Sequence, residues 1–259
     1  MHPPRPRNSA ARARWGLALN LKEIAMKRDV FFANVRARPF GGALTQAQVE
    51  GMDALLDAAP AGMDVRQLAY CLATTIHETA RTMQPIKEHG GTAYFTRMYD
   101  IRGNRPHVAR VLGNTNPGDG AKYAGRGFVQ ITGRRNYALA GKLLGIDLIG
   151  KPDLALRPAY AAPILYAGMA EGWFTSRKLA DYFSATTNDP VNARRIVNGT
   201  DKADLIAGYH RDFLAALQTA GYGKATVAPA PTVAPPSGPT GGFWAILASI
   251  LSKLFGGKS

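Results

Sequence analysis

YCLATTIHETARTMQPIKEHGGTAYF (residues 70–95) and YAGRGFVQITGRRNY (residues 123–137) are the two segments around which the chain is read. The first continues a run that begins at Asp64, in which Val65, Leu68, Ala69, Leu72 and Ile76 recur at helical spacing. Asp64 followed by Gln67 has the form of a capping box, where side chain and backbone satisfy each other at a helix start. The spacing predicts a helix that carries Glu78 near its end with an apolar face behind it. Pro85 is the expected terminator, because proline has no backbone N–H and clashes with the preceding turn. Glu88 follows. On one continuous helix Glu78 and Glu88 would stand about 15 Å apart, so a bend at Pro85 is what brings them across a cleft.

Two carboxyls in contrasting surroundings can serve as proton donor and base, the pair that glycoside hydrolysis needs. An apolar backing favours the protonated carboxyl that a general acid requires. Spacing alone equally describes two ordinary solvated glutamates. The second segment adds Gly125, Gly127 and Gly133 around Phe128-Val129-Gln130-Ile131-Thr132. Glycine permits sharp turns and close approach of backbone to a ligand. Read as an extended run, the segment points Gln130 and Thr132 to the same side, where both can bond hydroxyls or water. It fails as a dinucleotide fingerprint, since the third glycine is misplaced and no βαβ unit surrounds it.

HETA at 77–80, the second glutamate, YAGRGFVQITGRRNY and NARRIVNG at 192–199 together resemble glycoside hydrolase family 19, in its bacteriophage endolysin branch. The resemblance covers roughly residues 27–220, with the motifs in the family's order. It implies that Glu78 is the general acid and Glu88 the general base, with Thr132 helping to hold the attacking water. It implies substrate contacts for Tyr123, Gln130, Asn136 and Asn198; His77 and Tyr94 complete the expected binding set. It also implies an inverting mechanism on β-1,4 glycosidic bonds of peptidoglycan. Leu205 stands where chitinase members place an arginine, which removes that arginine from any network around the base. A chitinase acting on N-acetylglucosamine polymers is the nearest alternative. A non-catalytic wall- or membrane-binding protein is the alternative from another class.

Composition bounds the rest. The chain has 259 residues, 46% of them hydrophobic, enough for one good core with appendages. The formal net charge is +14, and residues 1–40 carry nine Lys/Arg against two Asp/Glu. Such a surface draws polyanions, and anionic membrane or lipopolysaccharide is the expected one besides the glycan itself. No helix-turn-helix or RNA-binding signature accompanies the charge, so nucleic acid is not expected. Cys71 is the one cysteine, placed on the apolar face of the Glu78 helix, and reads as a core thiol. A zincin motif needs a second histidine four residues after His77, and Arg81 stands there. No metal or cofactor is expected, and no Gly-x-Ser-x-Gly elbow is present. Leu17 to Leu21 is too short for a signal-peptide core, and no stretch reaches ~20 apolar residues. Synthesis in a host bacterial cytoplasm, action in the periplasm or wall, and a monomer are expected.

Four segments are predicted. Residues 1–26 form a basic Pro/Arg-rich extension, and the resemblance begins beside Met26. Residues 27–222 form the catalytic domain: mainly α, lysozyme-like and two-lobed, with a small β-like segment. Within it, residues 45–58, 106–112, 136–144, 158–174, 189–197 and 201–219 read as helices, and 89–104 as a loop bearing Tyr94, Phe95 and Tyr99. Residues 223–241 are a Pro/Ala/Gly linker. In residues 242–259, Phe243, Trp244, Ile246, Leu247, Ile250, Leu251, Leu254 and Phe255 share one half of a helical wheel with Lys253 opposite. That pattern fits an amphipathic tail helix lying in a lipid interface, and equally a helix docked on the catalytic domain.

Overall fold

The computed structural model describes residues 26–223. The rest of the N-terminal extension, the linker beyond Gly223 and the tail 242–259 lie outside the described residues. The order of elements is α1 (Arg28–Ala37), α2 (Gln46–Asp57), α3 (Val65–Glu78), β1 (Ile86–Lys87), α4 (Thr92–Tyr99), α5 (Pro106–Val111), α6 (Asp119–Lys122), β2 (Arg126–Gly127), α7 (Arg134–Leu144), α8 (Pro158–Glu171), α9 (Leu179–Tyr182) and α10 (Ala203–Thr219). Short 3₁₀ turns at Pro152–Leu156 and Asn192–Ile196 complete it. This is a mainly helical, lysozyme-like domain with one two-stranded sheet.

Two apolar cores give the two lobes. In the larger, α3 runs through the middle: every residue from Leu68 to Ile76 is buried. A helix buried on all sides needs neighbours all round. α10 supplies the broadest contact, with α8 on another side. α8 is itself buried from Ala161 to Met169. Cys71 meets Met169 where α3 faces α8, Sγ to Sδ 3.8 Å, and burial pushes its thiol up, which leaves it a packing group. The smaller core gathers Tyr123, Ile131, Tyr137, Ala140, Leu144 and Leu148 around α7.

Thr45 with Gln48 three residues on has the spacing that predicts a capping box, and the box is present with both reciprocal bonds. At Asp64 only half of one forms: its carboxylate accepts from the Arg66 amide, while the Gln67 side chain bonds the Phe183 carbonyl instead. α7 and α8 end on left-handed glycines, Gly145 and Gly172.

Three local expectations are corrected. α3 ends at Glu78, seven residues before Pro85. Ala80 is left-handed (φ 47°), the Arg81 amide reaches the Ile76 carbonyl and the Ala80 amide reaches the His77 carbonyl. These are the two bonds of a Schellman turn, built on alanine where glycine is usual. Residues 128–132 are not extended: Arg126 and Ile131 exchange both backbone bonds, and the chain between them turns tightly through Gly127 (φ 95°) and Gln130 (φ 57°). Residues 92–99 form α4 rather than loop, because no glycine or proline interrupts them and Phe95 and Tyr99 share one helix face.

Candidate active site

Glu78 closes α3, so the main core fixes its backbone. Its carboxylate is paired with an arginine, a partner the helical pattern did not suggest. Oε1 accepts a hydrogen bond from Arg194 Nη1 at 2.5 Å. Arg194 is buried, its side chain 4% exposed against 17% for Glu78. Its Nε donates to the Asp201 carbonyl at 3.1 Å, which ties the guanidinium to the turn before α10. The neighbouring Arg195 is exposed. Leu205, in the first turn of α10, is exposed too.

Glu88 is mounted differently. It follows β1, whose residues Ile86 and Lys87 pair with Gly127 and Arg126 of β2. Beyond the strand, the Glu88 amide donates to the Gly125 carbonyl at 2.9 Å, and the Gly125 amide returns a bond to Oε2 at 3.0 Å. Tyr99 donates its hydroxyl to Oε1 at 2.8 Å. A Cβ on Gly125 would lie 3.0 Å from Glu88 Oε2 and 2.8 Å from Gln130 Oε1, so this glycine is required by close approach.

Gln130 sits beside that carboxylate. Its left-handed backbone folds the side chain toward the sheet, where Nε2 donates to the carbonyls of Ile86 (3.1 Å) and Gly127 (3.3 Å). Thr132 is half-buried and donates to the Gln130 carbonyl at 2.8 Å, and Asn136 donates to the Thr132 carbonyl at 3.0 Å. Gln130 Oε1 and Asn136 Oδ1 are buried without a hydrogen-bond partner. An unpaired buried acceptor is costly, and a bound water or a ligand N–H or O–H is the natural remedy.

The structure thus brings Glu88, Gln130, Thr132 and Asn136 into one hydrogen-bonded unit with Tyr99 and Gly125. Tyr123 is not part of its surface. Its ring is wholly buried between Tyr137 (5.4 Å) and the Arg134 guanidinium (4.9 Å), and its hydroxyl donates to the Ile149 carbonyl. A sugar contact through that side chain is corrected to a core role. Tyr94 is half-buried on α4, edge-on to Phe95, with Arg97 over its ring. His77, next to Glu78, is half-buried, and burial holds its imidazole below the ordinary value. Asn198 lies exposed just past Arg194, its Oδ1 taken by the Gly199 amide. Among the described residues no three His, Cys, Asp or Glu side chains converge on a common point, and no helix is long and apolar enough to cross a membrane.

Sequence reasoning missed Tyr99 and Gly125 as partners of Glu88, and Arg194 as partner of Glu78. The spacing of Phe95 and Tyr99 and the doubled arginine of NARRIVNG were the available signals.

The family model described as Chitinase class I, of glycoside hydrolase family 19, matches residues 46–178. That span is about half of the chain and holds both glutamates, Tyr99 and the whole Gly125–Asn136 segment. The chain belongs to glycoside hydrolase family 19. Among curated members, Chitinase 3 of Oryza sativa subsp. japonica is 33% identical over 94 residues, 36% of this chain and 29% of that protein. A glycosyl hydrolase family 19 domain-containing protein of Haemophilus influenzae is 39% identical over 71 residues, 25% of this chain and 36% of that protein. The matched segments therefore span only about a third of these family 19 relatives. Among solved structures, chitinase C from Streptomyces griseus HUT6037 aligns with a TM-score of 0.46 at 20% identity, covering 77% of this chain and 94% of the other.

Proposed function

We propose that this family 19 member hydrolyses β-1,4 glycosidic bonds of peptidoglycan, and that it does so with inversion. The mounting of Glu88 carries the reading: a half-buried carboxylate is held by two neutral donors, with the unpaired oxygens of Gln130 and Asn136 on the same unit. In this reading Glu88 takes a proton from water as the water attacks the anomeric carbon. Thr132, whose oxygen keeps acceptor capacity, helps to hold that water. Gln130 and Asn136 accept from N–H or O–H groups of the sugar. Glu78 gives its proton to the departing glycosidic oxygen, and Arg194 stabilises the carboxylate that remains. The donor role of Glu78 rests on the family resemblance.

Leaving-group dependence separates the two roles. Glu78→Gln should lose about 10²–10⁴-fold on natural substrate and much less on an oligosaccharide with a dinitrophenyl leaving group, which departs without a proton. Glu88→Gln should lose a comparable factor on both. Full activity of either variant on wall polymer removes that residue from the mechanism. The anomer first formed, read by NMR, reports inversion or retention.

A chitinase is the second reading, favoured by the names of several curated relatives. Turnover of chitin oligomers against purified peptidoglycan decides between them. As a phage lysis enzyme the protein would be made in the host cytoplasm and act on the wall, with the tail 242–259 and the basic surface drawn to anionic lipid or lipopolysaccharide. Deleting 242–259 should then leave hydrolysis of purified wall intact and reduce binding to anionic vesicles.

A further inference from the structure

Of the groups that touch the two glutamates, Tyr99 is the one whose hydroxyl has a single partner, and that partner is a site carboxylate. We propose that Tyr99 is a positioning residue for the base: its phenol fixes the rotation of the Glu88 carboxylate so that a free lone pair faces the attacking water. The proposal rests on the reading of Glu88 as the base.

The first observation is the clamp. Glu88 Oε1 accepts from the Tyr99 hydroxyl at 2.8 Å and Oε2 from the Gly125 amide at 3.0 Å. A carboxylate held at both oxygens cannot spin about its last bond, yet each oxygen has two acceptor sites, so one remains open on each. The amide is fixed by the hairpin. The phenol needs its own support, and the structure supplies it at both ends of the residue.

The Tyr99 ring lies stacked along Phe95, centroids 6.3 Å apart and planes 15° from parallel. Its carbonyl accepts from Asn114 Nδ2 at 2.9 Å, and Asn114 Oδ1 accepts from the Arg134 amide that opens α7 at 2.8 Å. The next residue, Asp100, is fully buried and accepts from the amides of Gly118 (2.7 Å), Gly120 (3.3 Å) and Arg102 (3.1 Å). Gly120 packs so closely that a Cβ there would lie 2.9 Å from the Tyr99 carbonyl carbon. A surface loop aromatic would have no use for this scaffold; a donor that must stay within a few tenths of an ångström of a carboxylate does. Burial and the bond to Glu88 also keep the phenol protonated, as a donor must be.

Tyr99→Phe removes the hydroxyl and leaves the stacked ring. A hydrogen bond to a charged group predicts a roughly ten- to hundredfold fall in kcat with KM nearly unchanged. A mutant cycle with Glu88→Gln supplies a readout that a structural role would not move. If Tyr99 acts through Glu88, adding Tyr99→Phe to Glu88→Gln lowers the residual activity no further. The same loss in both backgrounds, or an unchanged kcat in Tyr99→Phe, overturns the proposal. Denaturant midpoints of all three variants show whether lost activity is lost fold; a collapse of Tyr99→Phe stability that accounts for its kcat also overturns it. Failure of the underlying reading looks different: Glu88→Gln would then be fully active, whatever Tyr99→Phe does.

Discussion

Glu78→Gln should weaken the fold as well as silence the enzyme. Catalytic carboxylates often crowd against one another, and neutralising one then relieves repulsion. At this site the neighbour is Arg194, buried to 4% side-chain exposure and holding Glu78 at 2.5 Å as its one ion pair among the described residues. The amide of glutamine can still accept from Nη1, so the geometry survives while the counter-charge is lost. Removing one partner of a fully buried pair costs about 3–5 kcal/mol. Glu78 keeps 17% of its side chain in contact with solvent, and one hydrogen bond is retained, so about 1–3 kcal/mol is expected. Arg194→Met should cost a similar amount, because it strands Glu78 and the Asp201 carbonyl. The double variant should recover part of the sum, since an uncharged Gln–Met pair of similar volume leaves no buried charge unpaired. Urea midpoints at neutral pH in 0.1 M and 1 M salt measure this, and a buried pair should respond weakly to salt. A Glu78→Gln variant as stable as the parent, or strictly additive single and double variants, would falsify the claim that Arg194 depends on Glu78 for its charge balance.

Gly125→Ala places a methyl 2.8 Å from Gln130 Oε1 and 3.0 Å from Glu88 Oε2; turnover should fall at least tenfold while the denaturant midpoint moves little, and an active variant would mean that the Glu88 clamp is dispensable. In Gly51→Ala the new Cβ would sit 1.7 Å from the Met83 carbonyl oxygen, so the gain in helix propensity of about 1 kcal/mol should be overwhelmed and both stability and turnover should drop; a stabilised, active variant would refute the tight packing of α2 on the 79–85 turn. His210 bonds the Arg66 carbonyl through Nε2 and leaves Nδ1 buried and unpaired, and burial depresses its pKa to about 4. The unfolded imidazole then takes its proton first as pH falls, so stability is full above about pH 6.5 and about 2 kcal/mol is lost by pH 5. His210→Gln should flatten urea stability between pH 7 and 5, leaving the loss below about pH 4 that belongs to the lowered carboxylates of Asp100 and Asp119.

What was legible in the sequence follows the physics of each signal. Helices with periodic apolar faces and capped ends were readable at Thr45 and Gly145, because cap and period act within a few residues. The end of α3 was not, because Ala80 adopts a conformation that its side chain disfavours and only the surrounding contacts enforce. The same holds for Gln130, where an apparently extended run folds into a turn. At the site, residue types with chemical purpose were identifiable. Their partners were not, since Tyr99, Gly125 and Arg194 reach the glutamates across 11, 37 and 116 positions of chain. Tyr123 illustrates the converse: a motif position is legible, while the burial of its ring is a property of α7 and the 145–149 turn.

The two glutamates are therefore held by separately built supports. Glu78 stands on the large core with Arg194, and Glu88 stands on the sheet with Tyr99 and Gly125. The chain between them is short and strained, with Ala80, Arg81 and Met83 all left-handed. Strain of this kind, on the order of 1–3 kcal/mol per residue, persists only where surrounding contacts over-determine it. They do so from several directions. The Met83 side chain is fully buried, and its amide donates to the Thr79 hydroxyl at 3.1 Å. Gln48 of α2 donates to the Arg81 carbonyl at 2.9 Å, and Arg81 donates to the Pro39 carbonyl at 2.8 Å and to Tyr209 of α10 at 3.1 Å. A regular helix continued to Pro85 would carry Glu78 and Glu88 apart by its own rise. Ending α3 at the first glutamate and pinning the reversal to α2 and α10 makes the spacing of the two carboxyls a property of the large core, so substitutions in α2, far from any sugar, should be felt in turnover before they are felt in binding.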